Sequence, residues 1–262
     1  MNILEQIIQH KIKEVEKKKT DLPLSVMKTS THYQRSGLSL KKKLNQHPGI
    51  IAEFKRKSPS KGIIRHAASV QDIVRSYERH GASACSILTD KVFFDGDTSD
   101  ITAVRSLLHI PILRKDFIVD SYQIDEAKSI GSDLILLIAE CLTPAQITDF
   151  THHAHDLGME VLMELHDLEE LNKWNPDIDL LGINNRDLRN FHTGIEKSLD
   201  LVIHLPVESL WISESGLKGP DELRQLAAAG YRGFLIGETF MRANDPGKLC
   251  GEFVTSLSEI PT

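Results

Sequence analysis

Residues 133–163 read DLILLIAECLTPAQITDFTHHAHDLGMEVLM, and they contain one complete unit of the fold. Asp133–Ile138 is almost entirely apolar, as expected for a strand that is buried on both faces of a parallel sheet. Thr143-Pro144 then supplies an N-cap residue and a proline for the first turn of a helix. Gly158 follows that helix, where a left-handed residue commonly ends it, and Glu160–Met163 is the next apolar run. The stretch therefore predicts a strand, a helix and a second strand parallel to the first.

The same unit recurs along the chain from residue 50 onward. Further helix starts are indicated by Ser69, which forms a variant capping box with Asp72, and by Asp120, which precedes the helical stretch Tyr122–Ser129. The unit is repeated often enough to give eight strands. The predicted strands are Ile50–Phe54, Ala84–Leu88, Ile112–Arg114, Asp133–Ile138, Glu160–Met163, Asp179–Ile183, Leu210–Ser213 and Gly233–Ile236.

Eight strands that alternate with helices fit either a closed barrel or an open, doubly wound sheet. The dinucleotide-binding motif GxGxxG does not follow the first strand, and the phosphate-binding motif GxxxxGK[ST] occurs nowhere, so the open sheet loses its main support. The length of 262 residues suits a barrel of about 250 residues. We therefore predict an α/β fold with a single (β/α)8 TIM barrel in residues 49–262. An N-terminal helical extension of residues 1–48 is expected to pack on that barrel.

The N-terminal extension differs from the barrel in charge. Residues 1–48 have a net charge of +6, whereas the remaining residues have a net charge of −12. A basic arm can bind nucleic acid or a membrane surface, but apolar residues recur in this arm at helical spacing. We therefore interpret the lysines as the solvated face and end of an amphipathic helix, and we predict no nucleic-acid and no membrane partner. The apolar positions are Ile3, Leu4, Ile7, Ile8, Ile12 and Val15, and the lysines are Lys11, Lys13 and Lys17–Lys19.

Composition excludes several classes of protein. With 40% hydrophobic and 26% charged residues and a mean hydropathy of −0.21, the chain is neither collagen-like nor disordered. The longest aliphatic run, Leu134–Ala139, is far shorter than the roughly 20 residues of a membrane span. The polar, lysine-rich residues 1–19 do not read as a secretory signal. The three cysteines lack a CxxC pairing, so we expect a reduced, cytoplasmic protein without a cysteine metal site.

Polar side chains follow most of the predicted strands at the point where each strand ends. In a barrel these ends meet at one mouth, and the active sites of barrel enzymes lie there. Each of these charges taken alone fits an ordinary rim ion pair, but five strands that contribute polar groups at one level favour a catalytic site. The residues are Glu53, Lys55, Lys115, Glu164, Asn184, Arg186, Ser213–Gly216, Gly237 and Glu238.

Several of these segments resemble the indole-3-glycerol phosphate synthase family. The most specific are IAEFKRKSPS at 51–60 and GINNRDL at 182–188. Shorter similar segments are LTD at 88–90 with Phe93 and Phe94, LRKDF at 113–117, ELHD at 164–167, SESG at 213–216 and LIGE at 235–238. Asp125 and Glu140 depart from the residues that the family commonly has. We expect Asp125 on a helix away from the mouth and Glu140 near the rim.

The resemblance implies a carboxy-lyase of tryptophan biosynthesis that acts on a small phosphorylated substrate. The substrate is 1-(2-carboxyphenylamino)-1-deoxyribulose 5-phosphate, and the products are indole-3-glycerol phosphate, CO₂ and water. Ring closure, decarboxylation and dehydration each need an acid or a base. None of these steps needs a metal or another cofactor, so we expect neither. Nothing in the sequence indicates assembly, and we expect a monomer.

The catalytic residues that the resemblance implies are two lysines, two glutamates and an asparagine. Lys115 is the expected general acid for the ketone oxygen, with a pKa lowered by burial or by a second cation. Lys55 is that second cation, and it is also a candidate for the substrate carboxylate or for dehydration. Glu164 is the expected base. Glu53 is expected to stabilise positive charge on the anilino nitrogen and to hold Lys115, while Asn184 orients Glu53 and the substrate hydroxyls.

The substrate phosphate is expected on the backbone of Ser215-Gly216 and Gly237-Glu238, because neither loop has a lysine or arginine at its tip. The Glu238 side chain is expected to turn away from the phosphate. Ser58 and Arg186 are expected to add polar contacts. The expected apolar walls for the aromatic ring are Phe93, Phe94 and Phe117, although Phe117 also suits ordinary barrel packing.

Other interpretations of the sequence remain open at this stage. One is a different phosphate-binding barrel, such as the preceding isomerase of the pathway or a Schiff-base aldolase that uses Lys115 covalently. Another is a barrel that only binds a phosphorylated ligand or a polyanion. His152, His153 and His155 have no obvious carboxylate support and are interpreted as a solvated helix face. His166 either supports Glu164 or forms a rim hydrogen bond.

Overall fold

A computed structural model describes residues 2–186 and 193–259, and in it eight parallel strands close into a barrel in chain order. The last strand pairs with the first, with Gly49 opposite Gly233. The predicted (β/α)8 barrel is therefore confirmed, and each predicted strand agrees with its observed bounds to within two residues. The strands are β1 (Gly49–Phe54), β2 (Ala84–Leu88), β3 (Ile112–Lys115), β4 (Leu134–Ile138), β5 (Glu160–Leu165), β6 (Leu180–Asn184), β7 (Leu210–Glu214) and β8 (Gly233–Ile236).

Helices precede the barrel and connect its strands. Ser69 and Thr143 cap their helices as predicted, whereas Asp120 accepts the Tyr122 N–H from one residue before the observed N-cap, Ser121. The helices are α1 (Ile3–Asp21), α2 (Leu24–Met27), α3 (Leu40–Gln46), α4 (Val70–Arg79), α5 (Lys91–Phe94), α6 (Thr98–Arg105), α7 (Tyr122–Ile130), α8 (Pro144–Asp156), α9 (Glu196–Leu201), α10 (Pro220–Ala228), α11 (Glu238–Arg242) and α12 (Pro246–Ser258).

Short irregular elements complete the connections. Between β5 and β6 the chain forms a 3₁₀-helix at Leu168–Lys173 in place of a long α-helix. Two further 3₁₀-helices are Ala139–Cys141 and Val202–His204. After β1, Lys57–Ser58 pairs antiparallel with Gly62–Ile63, so the first loop of the mouth is a small hairpin.

The interior of the barrel is filled with branched aliphatic side chains, as in other barrels of this class. Ile51, Leu113 and Leu162 lie at its centre and are fully buried. Leu40 and Leu44 of α3 belong to the same cluster, so α3 closes the barrel at the amino ends of the strands. A second, larger apolar cluster lies between the strands and the outer helices. With its amino end closed, the barrel is left open at the end that carries the polar residues.

The lysines of α1 do not form a simple solvated face. Lys11 was expected in solvent, and that expectation is wrong, because its side chain is fully buried among carboxylates. Lys18 pairs with Glu126 at 3.0 Å, and Lys19 pairs with Asp120 at 2.6 Å. The basic charge of the extension is therefore used in part to hold α1 on the acidic barrel. Ile12, expected on the apolar face, is 45% exposed.

The helices and the cysteines are relevant to the predictions of no membrane partner and of a reduced protein. Within residues 2–186 and 193–259, no helix is long and apolar enough to cross a membrane. Cys85, Cys141 and Cys250 are all free thiols. Burial raises the pKa of Cys250 to about 12, so this thiol is a packed core group with little nucleophilic thiolate at neutral pH.

Candidate active site

A cavity of about 410 Å³ opens at the carboxyl ends of the strands. Its floor is formed by polar residues at strand ends, among them Glu53, Lys115 and Glu164. Ile3 and Ile7 of α1 also line it, so the N-terminal extension covers part of the mouth. The volume suits a small organic ligand.

Lys115, the last residue of β3, lies between two carboxylates. Its Nζ is 2.6 Å from Glu164 Oε2 and 3.2 Å from Glu214 Oε2, and 13% of its side chain is exposed. Burial acts to lower the pKa of Lys115, but the carboxylates of Glu164, Glu214 and Glu53 outweigh burial and raise it. The expectation of a lowered pKa is therefore wrong for the ligand-free site, where Lys115 is held as a cation.

Glu164 and Glu214 share this lysine but differ in charge. Burial alone would raise the pKa of Glu164, yet Lys115, His166 and the Asn184 amide lower it to about 2. Burial and the neighbouring charge of Glu164 raise the pKa of Glu214 to about 8, against the opposing effect of Lys115. Two close carboxylates with pKa values pushed apart are typical of an acid–base pair. Gly182 permits this approach, because a Cβ there would lie 2.3 Å from Glu214 Oε1.

Glu53 and Lys55 form a second ion pair, at the end of β1. Lys55 Nζ donates to Glu53 Oε1 at 2.5 Å, and Glu53 is buried. Glu53 was expected to hold Lys115, but it holds Lys55, and Glu164 holds Lys115. Asn184 was expected to orient Glu53, but its Nδ2 donates to Glu164 Oε1 at 3.1 Å. All of these residues line the cavity, but the contacts among them differ from those that were expected.

The loops after β7 and β8 also line the cavity. Ser215 and Gly216 have positive φ angles of 66° and 76°. Gly237 has a φ of −121°, so a left-handed backbone does not explain this glycine. Its Cβ would instead lie 2.1 Å from Glu53 Oε1. Ser58 is also in the lining and is buried, with its Oγ 3.5 Å from Ser60 Oγ.

Basic side chains lie closer to these loops than the sequence indicated. Lys218, in the loop after β7, lines the cavity, which contradicts the expectation of no lysine there. Arg186 lines it too, and its guanidinium donates to Ser60 Oγ at 3.1 Å and to Glu238 Oε2 at 3.4 Å. Arg242 Nε donates to Glu238 Oε1 at 3.1 Å. The Glu238 side chain therefore contacts two guanidinium groups, and Glu238 is one of the residues that line the cavity.

Two of the three aromatic residues proposed as walls lie in the cavity. The rings of Phe94 and Phe117 line it, with centroids 6.0 Å apart. Phe93 is not among the lining residues, and its ring packs edge-on against His10 of α1 at 5.8 Å. Its assignment to the substrate wall was wrong because consecutive residues of the short helix α5 point in different directions.

The histidines of α8 have carboxylate partners from neighbouring elements, which sequence spacing did not reveal. His152, His153 and His155 lie 2.8 to 2.9 Å from Asp177, Asp125 and Asp179 respectively. Because the three aspartates are different, the histidines do not converge on one ion. Asp125 lies on α7, as expected, and is buried beneath His153. His166 supports Glu164, with Nε2 3.3 Å from Oε1.

Sequence reasoning missed Glu214 and the buried network behind Lys115. Glu214 was included only as part of the strand-end segment Ser213–Gly216, and it was given no role of its own. Its carboxylate at the end of a strand was the signal that could have identified it as a partner of Lys115. Asp116 and Arg114 flank Lys115 and are paired at 3.1 Å, and Arg114 also binds Glu126 at 2.5 Å. Asp187 and Leu188 of the GINNRDL segment lie outside the described residues.

Comparison with known proteins gives one consistent family. A sequence model of the family described as Indole-3-glycerol phosphate synthase matches residues 4–253. A curated indole-3-glycerol phosphate synthase from Bacteroides thetaiotaomicron is 44% identical over 257 residues, which are 98% of this chain and 99% of that protein. Proteins of the same name from Burkholderia ambifaria and Legionella pneumophila are 42% and 40% identical, over 94% and 97% of this chain and 97% and 99% of their own.

Solved structures agree with the fold. Thiamine phosphate pyrophosphorylase from Pyrococcus furiosus matches 86% of this chain and 100% of its own, with a TM-score of 0.63 and 18% identity. The alpha subunit of tryptophan synthase from Legionella pneumophila covers 84% of this chain and 97% of its own, with a TM-score of 0.61 and 13% identity. At these identities the similarity is evidence for the barrel alone.

Proposed function

Because the chain belongs to the indole-3-glycerol phosphate synthase family, we propose that its reaction takes place in the cavity at the barrel mouth, with Lys115, Glu164 and Glu214 at the centre. The activity of this family, and of this chain, is the conversion of 1-(2-carboxyphenylamino)-1-deoxyribulose 5-phosphate to indole-3-glycerol phosphate, CO₂ and water in tryptophan biosynthesis. The observation that carries the assignment of the site is one lysine held between two buried carboxylates with separated pKa values.

Ring closure needs a proton donor at the substrate ketone. The aromatic carbon that bears the carboxylate attacks the ribulose C2 carbonyl, and the carbonyl oxygen becomes a hydroxyl. Lys115 is proposed as the donor, since it is a cation at neutral pH and its carboxylate partners fix the position of Nζ. The same carboxylates raise its pKa and make it a weaker acid, so the proton is transferred only as the ketone oxygen becomes basic. As negative charge develops on the oxygen, Lys115 exchanges part of its interaction with Glu164 for a hydrogen bond to the substrate.

Decarboxylation and dehydration complete the indole. Loss of CO₂ returns the bonding electrons to the ring. The C2 hydroxyl then takes up a proton and leaves as water, while C1 loses a proton and the C1–C2 double bond forms. Glu164, with its low pKa, is ionised and is proposed to accept the proton that is removed in this step. Glu214, with a pKa of about 8, carries a proton at neutral pH, and we propose that it supplies or shares a proton with Glu164. Asn184 keeps Glu164 in place.

The Glu53–Lys55 pair is proposed to serve the charged parts of the substrate. Lys55 offers a cation for the substrate carboxylate or phosphate. Glu53 then becomes free to stabilise positive charge on the anilino nitrogen as the ring closes. Phe94 and Phe117 are the proposed walls for the aromatic ring.

The phosphate is proposed to bind at the loops after β7 and β8. Ser215 and Gly216 support this, since both line the cavity with a left-handed backbone, and Gly216 has no side chain to keep a ligand from its N–H group. Gly237 and Glu238 are the proposed backbone partners on the other loop, and Ser58 adds a hydroxyl. Arg186 and Lys218 supply positive charge at the rim of the same side.

We further propose a monomeric, cytoplasmic protein that binds neither nucleic acid nor membrane. The free cysteines support a reducing compartment. The pairing of Lys11, Lys18 and Lys19 with acidic side chains leaves less positive charge for a polyanion.

The decisive experiment is turnover by the purified chain. The carboxyphenylamino substrate is added without any metal, and the rise of indole fluorescence is followed. We expect turnover, and we expect borohydride to trap no covalent adduct at Lys115, because a Schiff base is not part of this mechanism. Absence of indole-3-glycerol phosphate, or a trapped adduct, would contradict the proposed site.

A further inference from the structure

A histidine and two glutamates converge beside the catalytic centre, and of these three residues only the histidine contacts it, through Nε2 and Glu164. Among residues 2–186 and 193–259, Glu140, His166 and Glu170 are the group whose ligand atoms lie together in a manner suited to a metal ion, all within 4.8 Å of one another. Glu140 follows β4, His166 follows β5, and Glu170 lies on the 3₁₀-helix Leu168–Lys173. No lysine or arginine of the described residues pairs with either glutamate, since Lys173 donates to two backbone carbonyls.

The imidazole of His166 is buried, and only one of its two ring nitrogens has a partner within hydrogen-bond distance. Its side chain is 7% exposed, and its Nδ1 has no hydrogen-bond partner. Nδ1 faces Glu140 Oε2 at 3.8 Å, which is too long for a hydrogen bond. The Glu170 carboxylate is fixed nearby, because its Oε2 accepts the His166 backbone N–H at 2.8 Å. An unpartnered nitrogen thus points at two carboxylates.

The other ring nitrogen fixes the tautomer that a metal needs. Nε2 lies 3.3 Å from Glu164 Oε1, so the ring proton belongs on Nε2, where it can be donated to that carboxylate. The Nδ1 lone pair is then directed at the glutamates. A histidine that binds a metal through one nitrogen commonly donates the other N–H to a carboxylate.

We propose that Glu140, His166 and Glu170 form a binding site for a divalent cation of the zinc type. One imidazole and two carboxylates suit Zn²⁺ or Co²⁺ better than Ca²⁺ or Mg²⁺, which prefer oxygen ligands alone. Ligand atoms around a tetrahedral Zn²⁺ lie about 3.4 Å apart. Glu140, whose side chain is 41% exposed, has the freedom to close the remaining distance.

Metal binding is tested on the full chain after treatment with a chelator and dialysis. Isothermal titration with ZnCl₂ is expected to give one ion per chain, and the absorption spectrum with Co²⁺ should show a low-coordinate site. Glu140→Gln and Glu170→Gln should each weaken Zn²⁺ binding by about tenfold or more. Glu169→Gln is the matched control, since Glu169 is a neighbouring, exposed glutamate of the same 3₁₀-helix, and it should bind as the parent does.

The titration also separates this site from the surface histidines. His155→Gln should leave binding unchanged, because His155 is engaged with Asp179 on α8. Loss of the ion in His155→Gln, or unchanged binding in both glutamate variants, would overturn the proposed site.

Discussion

Lys11 Nζ lies 3.0 Å from Asp116 Oδ1, and Asp116 directly follows the catalytic candidate Lys115. The same Nζ is 2.9 Å from Asp90 Oδ2, and Asp90 accepts the Phe93 N–H as the N-cap of α5. One buried cation therefore joins α1 to the strand that carries Lys115 and to the loop that carries the aromatic wall. Burial acts to lower the pKa of Lys11, but Asp116 and Asp90 outweigh it and raise the pKa, so the lysine stays charged.

Replacement of Lys11 by methionine should therefore weaken both stability and catalysis. Methionine keeps the apolar stem, but it leaves Asp90 buried without Lys11 and leaves Asp116 with Arg114 as its remaining cation. Breaking a buried ion pair in this way costs about 3–5 kcal/mol in the free energy of unfolding. Urea unfolding measures that loss, and a lowered kcat would show that Lys115 is displaced. Lys13→Met on the exposed face of α1 is the control, and an equal effect in both variants would contradict this role of Lys11.

Lys115→Ala should abolish ring closure while substrate binding stays largely intact. Lys115 lies at a strand end within reach of the cavity, and the ketone oxygen needs a proton donor. Loss of a general acid typically lowers the rate by about 10²- to 10⁴-fold. Steady-state kinetics and a separate binding titration measure the two quantities. Lys91→Ala, an exposed lysine of α5, is the control. A Lys115→Ala variant with more than about a tenth of the parent kcat would remove Lys115 from this role.

Glu214→Gln should make the protein more stable than the parent at alkaline pH. The unfolded Glu214 loses its proton near pH 4.3, whereas the folded one, with a pKa of about 8, keeps it. Between these values the folded state binds more protons, so the parent loses stability as the pH rises, and the loss is complete above pH 8. Glutamine mimics the protonated acid at every pH. Thermal unfolding from pH 5 to pH 9 should show a widening advantage for the variant, and a constant difference would contradict the raised pKa.

The sequence predicted the barrel well because its strands are local features. Each strand is an apolar run, and helix caps such as Thr143 separate one run from the next. The mouth could be located because polar residues follow the predicted strands, and because the active sites of barrel enzymes lie at the carboxyl ends of the strands. Glu53, Lys115 and Glu164 could thus be placed together before the structure was known.

The pairing of these residues could not be predicted, because it depends on side-chain direction within the closed barrel. Whether Glu164 or Glu53 holds Lys115 is decided by distances of a few ångströms across strands. Lys11 was missed for a related reason. A lysine in an amphipathic helix is normally solvated, and only the fold brings Asp90 and Asp116 to the same point.

Deletion of residues 1–19 should weaken substrate binding and barrel stability together. Ile3 and Ile7 line the cavity, and Lys11 is buried in the barrel network, so the deletion opens the mouth and leaves carboxylates unpaired. A raised KM and a lowered midpoint of urea unfolding are the expected results. The intact protein should bind nucleic acid only weakly and with a steep loss in salt. Salt-tolerant, sequence-specific DNA binding would contradict our interpretation of the basic arm.

Binding of the substrate phosphate should depend on backbone N–H donors more than on the Glu238 carboxylate. Glu238→Gln keeps the N–H of residue 238, and it releases Arg186 and Arg242 from a competing anion, so KM should change only modestly.

Gly216→Ala should be far more damaging. A side chain at φ 76° is strained, and its Cβ would lie 3.2 Å from the Gly194 backbone nitrogen, so the loop must shift. Misplacement of this kind can cost on the order of 10²-fold in kcat/KM. Gly219→Ala, in the same loop with extended backbone, is the control. Comparable losses in Glu238→Gln and Gly216→Ala would mean that the carboxylate itself matters, and the backbone-donor proposal would fail.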